Sequence, residues 1–284
     1  MKRIFFAATF TLLLGSACST SMTSLQTART MRPGQVQLTA GASVPISSAA
    51  VGETIDAAEA IAGRLSDAEA RDAPITEAEQ RQALETSLAL LLFTPGVTTE
   101  LAGRVGVVDG LDLGFKWAGP LLQVDGKYQL LRQAEHGVDL AVQGSYGYHL
   151  GYGASVASSI YPVLDFVQLG DYSQHDLGAG VLLSGEWDDI FGAYLAVRYV
   201  ASLTSLDADI ERVEVATGLA HTEISNTIHH VGGTAGLMVG YKYIYAVAEL
   251  TVAGVIFDPV VLGERRDLGG VIVTPAIGLL TRFP

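Results

Sequence analysis

Charged side chains in this chain sit at even spacings inside apolar stretches. Glu100 and Arg104 are four residues apart, as are Asp112 and Lys116, and Asp125 and Lys127 are two apart. Asp139, Glu186, Arg198, Glu249 and Arg282 each occupy one position of an alternating run. In extended chain, residues an even number apart point to one face. Eleven charges of both signs would therefore share a face. Charges taken out of water must be paired or hydrated. The chemistry this suggests is a cross-strand ion network filling a narrow barrel, or a water-lined path for small solutes.

The histidines are the candidate reactive centres. His229 and His230 are adjacent, so in a strand they face opposite ways and cannot share a metal. His221, Glu223 and Ser225 alternate onto one face if that stretch is extended, a spacing that permits a His/Ser/Glu nucleophile arrangement. No P-loop, HExxH, CxxC or nucleophile-elbow pattern accompanies them. One cysteine precludes an intrachain disulfide. The expectation is a protein that is not an enzyme and holds no metal or cofactor.

The elements that must position these charges are strands. In the hairpin Asp176–Ala201, Leu177, Ala179, Val181, Leu183 and Trp187 alternate with Asp176, Gly178, Gly180, Ser184 and Glu186; after Asp188-Asp189, Phe191, Leu195, Val197 and Tyr199 alternate with Gly192, Ala196 and Arg198. Each arm has the length and period of a membrane-spanning strand. The unit recurs at Gln35–Val44, Thr99–Val108, Leu111–Ala118, Leu122–Leu130, Val138–Tyr148, Thr227–Tyr241, Tyr243–Gly254 and Val271–Phe283. Asp109-Gly110 joins two of them as a two-residue hairpin turn. The fold expected is all-β: a transmembrane antiparallel barrel of about 10 strands over residues 34–284. Counts of 8 and 12 stay open, because Val156–Val167 and Asp209–Ala216 could extend or add strands.

Between strand one and strand two the period changes. Glu53–Leu65 and Glu77–Leu92 space apolar residues by three and four, which predicts two helices in an insertion over 51–95. Nine acids against three arginines make it an acidic surface: a solvated cap, a plug, or a docking site for a protein partner. Mean hydropathy is +0.34, yet no apolar run of eighteen or more exists, so helical membrane spans are excluded. A net charge of −13 argues against nucleic acid as a partner.

Residues 1–17 combine Lys2 and Arg3 with an apolar stretch from Ile4 to Ala17, the make-up of a secretory signal. Leu14-Gly15-Ser16-Ala17-Cys18 resembles the lipobox of bacterial lipoproteins. The resemblance implies cleavage before Cys18, acylation of that residue, and, with Ser19 following, delivery to the outer membrane. Residues 18–33 then read as a polar lipidated tether.

With the chain entering strand one from the periplasm, the connections 45–98, 119–121, 149–175, 202–226 and 255–269 lie outside, and the turns near 109–110, 133–137, 188–189 and 242 lie inside. Four of the five outer connections are long and every inner one is short, the asymmetry of outer-membrane barrels. Trp187, Phe191, Tyr241, Tyr243 and Phe283 fall at inner strand ends, and Trp117, Tyr146, Tyr148 and Tyr199 at outer ends, as two interfacial girdles. The last stretch, Pro275 to Phe283, resembles the C-terminal recognition strand of Gram-negative outer-membrane barrels. The cadence of Thr99–Leu131 resembles barrels of that kind more broadly. The function expected is a lipid-anchored outer-membrane barrel of structural or interaction type with a largely filled lumen. The alternatives are a narrow conduit for solutes or lipids and, more remotely, a lipid hydrolase. The partners implied are outer-membrane lipids and the barrel-assembly and lipoprotein-sorting machineries.

Overall fold

Alternation becomes ladder pairing along the whole chain. The computed structural model describes residues 20–47, 60–64, 66–67, 76–93, 96–150, 167–210, 221–261, 264–265 and 267–283. The expected signal and Cys18 lie outside the described residues. Ten antiparallel strands form one sheet: β1 (Val36–Ser43), β2 (Thr98–Val108), β3 (Leu111–Ala118), β4 (Leu121–Leu131), β5 (Asp139–His149), β6 (Val167–Trp187), β7 (Phe191–Ile210), β8 (His221–Tyr241), β9 (Ile244–Ile256) and β10 (Gly270–Phe283). Each pairs with its chain neighbours, and β1 pairs with β10 from Val36↔Phe283 to Ser43↔Ala276, which closes the barrel. Ile46–Ser47 continues β1 beyond Pro45, which lacks an N–H for the ladder, and pairs with Val273 and Ile272.

The two faces are sorted by chemistry. Leu101, Phe115, Val124, Leu195, Val197, Leu237 and Ile277 are exposed on the outside, Ile277 at 68%. The alternate positions, charged residues included, are buried within. A soluble barrel would reverse this order. An apolar exterior around a polar interior is the arrangement of a barrel whose outer solvent is lipid.

One end of the barrel carries short turns. Gly110 (φ +83°) turns β2 into β3; Asp188 and Asp189, at φ 54° and 52°, turn β6 into β7, with Ile190 N–H donating to Trp187 O at 3.0 Å. Helix α1 (Glu77–Phe93) lies in the insertion at the other end. The second expected helix falls where the spacing put it; of the first, residues 60–64 are helical and 53–59 lie outside the described residues. Helix α2 (Gln133–His136) is one turn joining β4 to β5, stopped by Gly137 in the left-handed region.

Two expectations change. Within the connections 149–175 and 202–226, residues 167–175, 202–210 and 221–226 are strand: β6, β7 and β8 run 21, 20 and 21 residues and rise past the short wall of β3–β5. Residues 156–166 and 211–216 lie outside the described residues. In the upper halves of these strands polar pairs (Gln174↔Thr204, Ser205↔Ser225) are mixed with apolar ones (Val167↔Ile210, Leu206↔Ile224), which breaks the apolar row that marks a strand facing lipid. Among the described residues they add length and no further strand. The stretch read as a tether also departs from expectation. From Thr20 to Met31 it lies inside the barrel, with Leu25, Ala28 and Met31 buried to 2% exposure or less.

Candidate functional site

The lumen is built from that internal segment and the wall around it. At the short-turn end, Arg32-Pro33-Gly34-Gln35 forms a turn. Pro33 takes the second position, Gly34 the third with φ +82°, and Gln35 N–H donates to Arg32 O at 2.9 Å. These are the residues and the dihedral of a type II turn. It reverses the chain so that the segment runs beside β1 in the opposite direction. Gly106 admits the crossing: a Cβ there would lie 2.1 Å from Arg32 O, and the glycine exchanges backbone hydrogen bonds with Gly34 and Gln35 instead.

From there the segment climbs the lumen without joining the sheet, and the wall supplies its hydrogen bonds. Met31 N–H donates to Asp112 (3.2 Å), Thr30 N–H and Oγ1 to Gln129, and Ala28 N–H to Ser184 Oγ (3.0 Å). Leu25 N–H and Ser24 N–H donate to the two oxygens of Glu249 at 2.7 and 2.9 Å. Thr23 Oγ1 donates to Glu100. Near the long-loop end, Thr20 Oγ1 lies 3.0 Å from Ser202 Oγ and accepts from Gln174 Nε2 at 2.9 Å. The segment's carbonyls take the wall's cations. Lys116 Nζ donates to Thr23 O (2.8 Å), Lys127 Nζ to Thr27 O (2.8 Å) and Arg29 O (3.1 Å), and Arg198 to Met22 O and Thr23 O. Backbone polar groups removed from water are satisfied here by side chains rather than by a ladder.

All eleven charges picked out by spacing are buried on this inner face. Arg104 is shared between Asp112 and Asp125; Lys116 lies 3.3 Å from Glu100, and Lys127 lies 3.6 Å from Asp112. Arg282 clamps Glu186 with both guanidinium nitrogens at 2.7 and 2.8 Å. Asp139 holds Gln129 Nε2 (2.7 Å) and Gln133 N–H (2.8 Å). These eleven are six carboxylates and five cations, and Asp176 is a further buried carboxylate of the wall. Arg29 from the segment adds a cation, reaching Asp139 at 3.2 Å and Glu186 at 3.0 Å. Tyr194 hydroxyl donates to Glu249 at 2.6 Å, its ring laid over Gly236, where a Cβ would meet it at 2.0 Å. The void left between the segment and the β1–β4 wall is about 30 Å³, room for a water or two.

Several lumen residues escaped the sequence reading. Arg29, Thr23 and Ser24 sat in a stretch with no periodicity, and Tyr194, Gln129 and Gln143 carry no charge. The Pro33-Gly34 turn directly before β1 was the legible signal that the chain doubles back. Nearer the long-loop end, His149 Nε2 bonds Asp176 at 3.0 Å, while His149 Nδ1 and His230 Nε2, both buried, have no hydrogen-bond partner among the described residues.

The aromatic residues expected to form girdles lie outside. Trp187, Phe191, Tyr241, Tyr243 and Phe283 ring the short-turn end, with Trp187 stacked on Phe191 at 5.6 Å. Tyr146, Tyr148 and Tyr199 are exposed toward the other end. Tyr146 pairs with His175 at 2.8 Å and Tyr199 with His229 at 2.7 Å, while Trp117 Nε1 donates to Gly119 O. The backbone of β8 is extended through His221, Glu223 and Ser225, and Ser225 is exposed; the side chains of the other two lie outside the described residues. Among the described residues no group of three or more His, Cys, Asp or Glu is placed to hold a metal ion.

No protein-family model matches this chain, and no curated protein does. Among solved structures it is similar to Neisserial surface protein A (10% identity, 88% of this chain and 96% of that one, TM-score 0.31). It is also similar to the N-terminal barrel domain of Pseudomonas aeruginosa OprF (8%, 89% and 100%, 0.31) and to LpxR from Salmonella typhimurium (12%, 86% and 99%, 0.37). The likenesses are loose. The fold assignment rests on the strand pairing above.

Proposed function

We propose that this chain is an outer-membrane β-barrel of structural or interaction type, lipid-anchored at Cys18, with its lumen closed by its own residues 20–32. The observation that carries the reading is the hydrogen bonding of that segment to nearly every charged group of the inner wall. A conduit would leave such groups facing water; here most of them face protein, with about 30 Å³ between the segment and the β1–β4 wall. A cavity of about 640 Å³ beside Arg29 and Arg282 opens at the short-turn end. The apolar exterior, its aromatic girdles and the short turns at one end support a membrane crossing of outer-membrane type. That assigns the short-turn end to the periplasm and the long-loop end to the cell exterior. Barrel-assembly and lipoprotein-sorting machineries would then deliver the chain, and the acidic insertion around α1 would offer a partner its docking surface.

Planar-bilayer recording on the purified full-length protein tests the reading. A sealed lumen gives no stable conductance steps. Steps that change when residues 52–94 are deleted would overturn it in favour of a conduit gated by the insertion.

A further inference from the structure

The internal segment has a direction, and it is opposite to that of β1. Its carboxyl end sits at the short-turn rim, where Met31 N–H meets Asp112 and Gly34 N–H meets Gly106 O. Its amino end sits near the other rim, where Thr20 meets Ser202 and Gln174, and Ser21 accepts from Lys116. Gln174 pairs with His149, the last residue of β5, so Thr20 has reached the level at which the low side of the wall stops. That side is β3–β5, with 8, 11 and 11 residues, against 20 or 21 in β6–β8. Among the described residues the wall is therefore lowest above the β3–β4 hairpin, at the level where Thr20 ends its climb. Cys18 is two residues further on, at most about 7 Å of chain.

We infer that the mature amino end emerges on the long-loop side of the membrane, so that acyl chains on Cys18 enter the outward-facing leaflet over the low rim. The chain cannot lie the other way without undoing the lumen. Withdrawing residues 20–31 toward the short-turn end would strip Lys116, Lys127 and Arg198 of their carbonyl acceptors and Glu249 of two backbone donors. It would leave those charges buried and under-satisfied. One turn separates the segment from β1, and β1 makes the closing seam with β10, so the segment and the seam lie side by side at the short-turn end. The orientation rests on the proposed assignment of the long-loop end to the exterior, and the lipid on the proposed acylation.

The test uses cells making the full chain with a short epitope inserted between Ser19 and Thr20. Antibody signal from intact cells is expected to equal that from permeabilised cells; signal only after permeabilisation overturns the inference. If the insertion blocks assembly, Thr20→Cys in a Cys18→Ser background replaces it, read by a membrane-impermeant maleimide added outside. Labelling supports the orientation, and labelling only from the periplasmic side overturns it. Fatty-acid labelling of the unaltered chain is scored separately. Outside signal without acyl label keeps the orientation and sinks the anchor alone.

Discussion

Lys127 shows how much a single lumen side chain is asked to satisfy. Its ammonium, 1% exposed, divides its donors between Thr27 O and Arg29 O of the segment and lies 3.6 Å from Asp112 of the wall. Lys127→Met keeps most of the stem but leaves two carbonyls and part of a carboxylate without a donor. Breaking a buried pair from one side costs about 3–5 kcal/mol. The variant should unfold at correspondingly lower urea when followed by tryptophan fluorescence in lipid vesicles, and a second change, Asp112→Asn, should recover part of the loss. Full additivity of the two would mean that they do not interact. The charge itself was visible from the spacing of Asp125 and Lys127. Its partners were not, because main-chain carbonyls of an irregular segment leave no trace in residue type.

At the scale of elements, alternation made the strands legible wherever one face meets lipid. It failed in the upper reaches of β6, β7 and β8, where polar Gln174, Thr204 and Ser205 are mixed with Leu203 and Leu206 and break the apolar row. Helix α1 was legible by its spacing, and its first turn is held by a cap that the spacing did not show. Thr76 Oγ1 accepts from Glu79 N–H at 3.3 Å, and the Glu79 carboxylate accepts from Thr76 N–H and Oγ1 at 3.0 and 2.8 Å, a reciprocal capping box. These donors hold the Glu79 carboxyl below its usual 4.5. A folded value lower than the unfolded one adds stability that is present above pH 4.5 and is lost as the pH falls through the folded value. Thr76→Ala should cost the helix about 1 kcal/mol, read as faster amide exchange in its first turns, and should flatten that acid dependence. Unchanged exchange would show that packing alone holds the helix.

At the scale of the whole molecule, the barrel is a wall that folds around its own amino-terminal segment. The ten-strand order and the polar interior followed from spacing. The occupant did not, because Ser, Thr and Gln serve a solvated tether and a lumen filler equally well, and only the turn at Pro33-Gly34 separates the two. Its presence changes what the charge network is for. Arg29 of the segment pairs with Asp139 and Glu186 of the wall, and Lys116, Lys127 and Arg198 of the wall bind the segment's carbonyls, so wall and segment are one electrostatic unit. The direct test of that claim is a crosslink. Thr20 Oγ1 and Ser202 Oγ lie 3.0 Å apart, so Thr20→Cys with Ser202→Cys, in a Cys18→Ser background, should form a disulfide during assembly in cells. The account predicts a reducible mobility shift on gels and no thiol open to alkylation. Two free thiols on an assembled, heat-modifiable barrel would place the segment outside the lumen and contradict it.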